Sequence, residues 1–148
     1  MRIVAGSARG RVLKGPRRAD VIRPTADRVR ESLFNVLGQS CDGLAVLDLY
    51  SGTGALALEA LSRGAKRAVL VDSGREAQQL GAQNAQALGF GDQIELLPIS
   101  AEKAIAGLHG RGVRFELIFA DPPYAQGAVA DLLGWLTAHP LLAPGGGV

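Results

Sequence analysis

Apolar and polar positions divide this chain into two unlike stretches. From Leu44 onward, short apolar runs alternate with longer amphipathic ones. Leu44–Tyr50 is apolar throughout except for Asp48, the pattern of a strand buried on both faces. Ser51–Gly54 reads as a turn, and Ala55 to Arg63 as a helix closed by Gly64. Ala68–Val71 is a predicted second strand ending at Asp72. Arg75 to Leu88 then reads as a second helix of this region, closed by Gly89. A strand over Gln93 to Leu97, a short helix over Ala101 to Leu108, a strand over Phe115–Ala120 and a helix over Ala128 to Ala138 complete the series. Such alternation predicts right-handed βαβ units, and so an α/β fold with a doubly wound, mostly parallel sheet.

Before Leu44 the pattern differs. Arg2–Val4 and Arg11–Leu13 read as two short strands around a turn from Gly6 to Gly10. Thr25 is placed to cap a helix beginning near Ala26 and ending near Gly38, with Val29, Leu33, Val36 and Leu37 forming one apolar face. The chain therefore divides into an N-terminal extension of hairpin plus helix, residues 1–43, and a core, residues 44–148. Leu141–Val148 reads as a turn into a fifth strand. A parallel sheet needs closing strands to cover its edge, so the chain is expected to be a piece of a longer protein, with C-terminal strands beyond Val148.

Charge sharpens this division. Residues 1–30 carry nine Arg and Lys side chains against two acids, while the chain as a whole is only +2. A basic arm on a mildly acidic body suits a polyanionic partner, and Arg9, Arg11, Lys14, Arg17, Arg18, Arg23, Thr25 and Arg28 are the candidate contacts to such a partner within it. No apolar run reaches the roughly 20 residues that span a bilayer. The start lacks the apolar stretch of a secretory signal, so no membrane association and a cytoplasmic location are expected. A single cysteine, Cys41, excludes an internal disulfide and a multi-cysteine metal site. His109 and His139 read as loop residues with no third ligand nearby, so no metal is expected. Trp135 with Leu132, Leu133 and Leu136 reads as a core face, and Asn84, in mid-helix, as a tie to a neighbouring loop. A monomer is expected.

Three sites carry candidate chemistry. Asp48-Leu49-Tyr50-Ser51-Gly52-Thr53-Gly54 lies at the carboxyl end of the first core strand, where doubly wound folds bind ligands. Gly52 and Gly54 permit tight turning and close backbone approach, and Asp48 can hold an ammonium. Asp72 ends the second strand, 18 residues after Gly54, where an acid can accept both hydroxyls of a ribose. Position 57 is alanine where a dinucleotide fingerprint has glycine, so a nucleoside without pyrophosphate, S-adenosylmethionine, fits better. The third site, Asp121-Pro122-Pro123-Tyr124, follows the fourth strand at the same sheet edge. Its prolines stiffen the loop and remove two N–H donors, so the loop presents acceptors. The Asp121 carboxylate and Pro122 carbonyl can both accept from one NH₂ group, pulling its nitrogen toward tetrahedral geometry. Tyr124 can stack on the base, a contact worth about 1–3 kcal/mol. This points to methylation of a base amine without deciding among adenine, cytosine and guanine. The base must be flipped out or lie in a loop to be reached.

With these three sites the chain resembles class I, Rossmann-like methyltransferases of the amino-methylating type. Arg23-Pro24-Thr25-Ala26-Asp27-Arg28-Val29-Arg30-Glu31-Ser32-Leu33-Phe34-Asn35 is similar to the signature of bacterial 16S rRNA (guanine-N2) methyltransferases, as is Glu59–Ala65. The resemblance runs from Arg2 to Gly147. It implies methylation of guanine N2 in 16S rRNA, on the RNA or the assembling small subunit. It also implies a cofactor pocket built from Asp48, Tyr50, Ser51, Gly52, Thr53, Gly54, Asp72, Ser73, Ser100 and Ala101. Ser100 stands where many relatives carry Asp or Asn. Two other readings remain: an adenine-N6 methyltransferase sharing the same loop, and an RNA-binding fragment that cannot turn over.

Overall fold

The computed structural model describes residues 1–16, 24–38, 40–122 and 126–147, with backbone only for 24–27. The core alternates as its sequence pattern requires: β1 (Ala45–Leu49), α2 (Ala55–Ser62), β2 (Arg67–Val71), α3 (Arg75–Ala87), β3 (Ile94–Leu97), α4 (Ala101–Gly110), β4 (Phe115–Ala120), α5 (Ala128–Ala138) and β5 (Leu142–Gly147), preceded by α1 (Pro24–Val36). All five strands are parallel, in the order β3-β2-β1-β4-β5. This is the doubly wound α/β sheet that the alternation predicted, and the fifth strand forms as expected, pairing with β4 at the edge.

Alternation along each strand splits the core between two faces. Val46, Ala68, Leu70, Leu117 and Phe119 point to one side, where α2 packs. Leu47, Leu49, Val69, Val71 and Ile118 point to the other, against Ala101, Ala104, Ile105 and Leu108 of α4 and Leu132 of α5. β1 is buried at all five positions, which explains why Asp48 is its only polar residue. The strand order reverses between β1 and β4, and the crevice at such a switch point is where open sheets of this kind take ligands.

The N-terminal segment packs into the first of these faces. Ile3, Ala8, Leu13 and Phe34 share one buried cluster with Val46, Leu58 and Phe119, and the Phe34 and Phe119 rings lie 5.6 Å apart. The two short strands are present as a single antiparallel bridge, Arg2 to Val12, supported by backbone bonds between Ile3 and Arg11 and between Leu13 and Met1.

Several details depart from the sequence pattern. α1 begins at Pro24, so Thr25 lies within the helix and does not cap it; proline's fixed φ and missing N–H suit a first helical position. The face of α1 that packs inward is Arg30 and Phe34, with Leu33 half-buried, while Val29 and Val36 are 63% and 86% exposed and Leu37 is 42% exposed. Leu133 is 55% exposed and lies off the core face of α5. His109 lies within α4, not in a loop, and its ring meets that of His139 edge-on at 5.5 Å. Among the described residues no three His, Cys, Asp or Glu side chains are grouped to hold a metal, and no helix is long and apolar enough to cross a membrane. Cys41 is a buried packing residue whose thiol is pushed up by burial.

Candidate functional site

The carboxyl ends of β1, β2 and β4 bring three acids to one edge. Asp48 is the fourth residue of β1 and is 2% exposed. Its Oδ2 accepts a hydrogen bond from the Ala57 N–H in the first turn of α2 at 3.2 Å. Burial raises its pKa from 3.8 to about 7; the Ala57 bond opposes the rise, and the negative charges of Asp72 and Asp121 add to it. Asp72 follows β2. Each of its carboxylate oxygens takes one backbone donor, Gly52 at 3.0 Å and Gly74 at 2.8 Å. An ionised carboxylate has about four lone-pair sites, so acceptor capacity remains for two hydroxyls. Asp121 is the first residue past β4, and its neighbour Ala120 is in register with Leu49 of β1. Asp121 is exposed and Pro122 is half-buried; Pro123 and Tyr124 lie outside the described residues.

Between β1 and α2 the chain turns tightly. Tyr50 has φ 60°, a left-handed conformation that a bulky side chain rarely adopts. Gly54 has φ 84°, a conformation that favours glycine, and a Cβ there would also press on Leu70 at 3.1 Å and Leu58 at 3.4 Å. A Cβ on Gly52 would meet nothing within 4 Å, so the space over that part of the loop is open. The loop is closed by Ser51 donating to the Val71 carbonyl and Gly54 donating to the Ser51 carbonyl.

Tyr50, Asp72, Ser73, Ser100 and Ala101, five of the predicted cofactor residues, line one cleft of about 190 Å³. Its walls also include Glu102 and Trp135, so the tryptophan both packs against the core and lines the cleft. Asp48 and the Ser51–Gly54 turn lie outside this lining. Ser100 has a structural task in addition: its Oγ caps α4 by accepting from the Lys103 N–H at 3.3 Å. A smaller apolar hollow of about 90 Å³, lined by Ile118, Leu136, Pro140, Leu141 and Leu142, lies at the start of β5 and contains none of the acids.

Gln78 was not apparent from the sequence. Its Nε2 donates to the carbonyls of Asp72 at 2.7 Å and Leu97 at 3.1 Å, tying together the ends of β2 and β3 on either side of the cleft. Asn84 does what its mid-helix position suggested. Its Oδ1 accepts from Lys14 N–H at 2.7 Å, and its Nδ2 donates to the carbonyls of Lys14 and Thr53, both at 3.0 Å.

The candidate RNA residues are divided. Arg9, Arg11, Lys14 and Arg28 are exposed, although Arg11 also donates to the Ala87 carbonyl at the end of α3 at 2.7 Å. Arg17, Arg18 and Arg23 lie outside the described residues, as does the side chain of Thr25. Arg30 is withdrawn from the arm's surface. It is 4% exposed and pairs with Glu59 of α2 at 3.2 Å, while its guanidinium also donates to the Arg2 carbonyl.

Comparison with known proteins agrees with this architecture. The whole chain, residues 1–148, matches the family described as "Conserved hypothetical protein 95". It is 36% identical over 146 residues to YlbH of Bacillus subtilis (strain 168), covering 99% of this chain and 79% of that protein. It is 35% identical over 148 residues to the ribosomal RNA small subunit methyltransferase D of Escherichia coli (strain K12), covering 96% of this chain and 72% of that one. Among solved structures, yhhF from Escherichia coli matches with a TM-score of 0.83 and 36% identity, covering 97% of this chain and 75% of that chain.

Proposed function

This chain belongs to the conserved hypothetical protein 95 family, and on that footing we propose that it methylates an exocyclic base amine of small-subunit ribosomal RNA, the N2 of guanine, using S-adenosylmethionine. The observation that carries the reading is the convergence of Asp48, Asp72 and Asp121 at the switch point of the sheet. Likeness to a ribosomal RNA small subunit methyltransferase supports the choice of RNA.

When bound, S-adenosylmethionine supplies a methyl group on a cationic sulfur. The residues present suit it. Asp48 balances the ammonium of its amino-acid end, directly or through water. Asp72 accepts the ribose hydroxyls with the lone pairs its two backbone donors leave free. The cleft beside Tyr50, Ser73, Ser100 and Ala101 receives the adenine, and the Ser100 hydroxyl keeps its proton to donate, since its cap uses only an oxygen lone pair. The backbone of Ser51–Gly54, open over Gly52, would be the part of the chain nearest the cofactor between Asp48 and Asp72. Asp121 and the Pro122 carbonyl accept from the two hydrogens of the target amine, aiming its lone pair at the methyl, and Tyr124 stacks on the base. Pro123 keeps that loop stiff. Holding both partners in line replaces the entropy a solution reaction would lose. Residues 44–148 are then the catalytic core and residues 1–43 the extension that grips RNA through Arg9, Arg11, Lys14, Arg17, Arg18, Arg23 and Arg28. We place the enzyme in the cytoplasm, acting as a monomer on 16S rRNA or the assembling particle.

The Asp48 environment gives a test. The ionised carboxylate is the form that attracts an ammonium, and its pKa of about 7 means this form is lost as pH falls below neutrality. Cofactor affinity by calorimetry is expected to weaken up to about tenfold per pH unit below 7, and Asp48→Asn is expected to flatten that dependence. Stability runs the other way. An acid raised from 3.8 to about 7 contributes stability that is complete below pH 4 and is lost as pH climbs through 7. Asp48→Asn is therefore expected to melt higher than the parent at pH 8. A steep pH dependence of affinity that survives in Asp48→Asn would remove Asp48 from the ammonium site.

A further inference from the structure

Asn84 joins two parts of the molecule that the proposed reaction uses separately. Asparagine is a poor mid-helix residue, and an amide that is 2% exposed is costly unless fully bonded. Its hydrogen bonds here run out of α3. One oxygen and one nitrogen grip both backbone groups of Lys14, 70 residues away, and the same nitrogen reaches Thr53 in the turn between β1 and α2. Lys14 is on the basic arm with its side chain exposed, and Thr53 is in the Ser51–Gly54 loop. A single rigid amide thus fixes the distance between the arm and the loop. Any movement of the arm on taking up RNA pulls on the loop through three hydrogen bonds, and any ordering of the loop holds the arm.

We propose that Asn84 is a positioning residue that couples RNA binding on the arm to cofactor binding at the loop, each strengthening the other. This rests on the functional reading above. Coupling of this kind is reciprocal and commonly about fivefold or more.

The test is calorimetry of S-adenosylhomocysteine, which cannot turn over, on the full chain with and without a saturating transcript of small-subunit ribosomal RNA. In the parent, the transcript is expected to tighten binding about fivefold or more. In Asn84→Ala that factor is expected to fall to about one, while each ligand alone binds within about threefold of the parent. Asn84→Asp keeps an acceptor for Lys14 N–H and loses both donors, and is expected to uncouple as fully. A purely structural residue would weaken both ligands in parallel and leave the factor unchanged, which would overturn the proposal. A parent that binds both ligands without coupling would also overturn it and leave the functional reading standing. A parent that binds no S-adenosylhomocysteine would remove that reading and this inference together. Hydrogen exchange of the parent needs no variant: S-adenosylhomocysteine alone is expected to slow exchange at the Lys14 amide, and an unchanged rate would contradict the coupling.

Discussion

Asp121→Ala is expected to lower turnover by about 10³-fold while leaving cofactor affinity within about threefold of the parent. The residue is the first beyond β4, exposed, and beside the end of β1 through the Leu49–Ala120 pairing. Its removal opens no cavity in the core, so the variant should fold like its parent. The effect falls on the chemistry. An aryl amine has its lone pair delocalised into the ring, and it becomes nucleophilic only when acceptors draw its hydrogens out of the ring plane. Asp121 and the Pro122 carbonyl are the two acceptors assigned to that task. The cofactor site loses nothing by the change, because the Asp121 charge raises the Asp48 pKa and its removal favours the ionised Asp48. Turnover and calorimetry on the same preparation check both halves. A large loss of cofactor affinity with the chemistry preserved would place Asp121 in the cofactor site.

Glu59→Ala is expected to be the most destabilising single change outside the site. Glu59 is fully buried in α2 and takes four donors: the Val4 and Ala5 N–H groups at 2.9 and 3.1 Å, Arg30 Nε at 3.2 Å and Arg63 Nε at 3.0 Å. Arg63 in turn lies 4.5 Å over the Phe34 ring. One carboxylate therefore holds the start of the chain, α1 and the end of α2 together. Truncating it takes from two buried guanidinium groups the carboxylate they share, and breaking a buried ion pair typically costs about 3–5 kcal/mol. For a chain of this size that lowers the melting temperature by roughly 10 °C. Circular dichroism on heating gives the answer, and a shift of only a degree or two would show that the network contributes little.

Glu59 also shows where sequence reading stops. In Ala55–Ser62 it is one acid in an apolar helix and looks like the solvent-facing position. Arg63 lies one helical turn further on, but the partners at positions 4, 5 and 30 are brought to Glu59 by no local period. The same non-local bond decides the inward face of α1. Periodicity counts Val29 and Val36 as apolar and Arg30 as polar, yet Arg30 turns inward because an anion is waiting for it. The strands were legible because burial on both faces forces a nearly continuous apolar run, as in Ala45–Leu49 and Phe115–Ala120, each interrupted by one acid, Asp48 and Glu116. Helix ends were legible where glycine closes them, at Gly64 and Gly89, both with positive φ. The acids at the sheet edge could be found because strand ends are fixed by those runs. Gln78 gave no signal, since a glutamine on a polar helix face looks the same whether or not its amide reaches two carbonyls. The Ser100 cap was hidden behind its candidacy for the adenine, a role that leaves the cap intact. Asn84 was noticeable because a buried amide in mid-helix needs partners elsewhere, although only the structure names Lys14 and Thr53.

Transfer of a methyl group to a base amine of ribosomal RNA is measured by incubating the chain with labelled S-adenosylmethionine and, separately, 16S rRNA, isolated small subunits and DNA, then identifying the labelled nucleoside. The expected product is N2-methylguanosine from the ribosomal RNA, free or in the subunit, and none from DNA. Label recovered as N6-methyladenosine, or appearing on DNA in preference to ribosomal RNA, would contradict it.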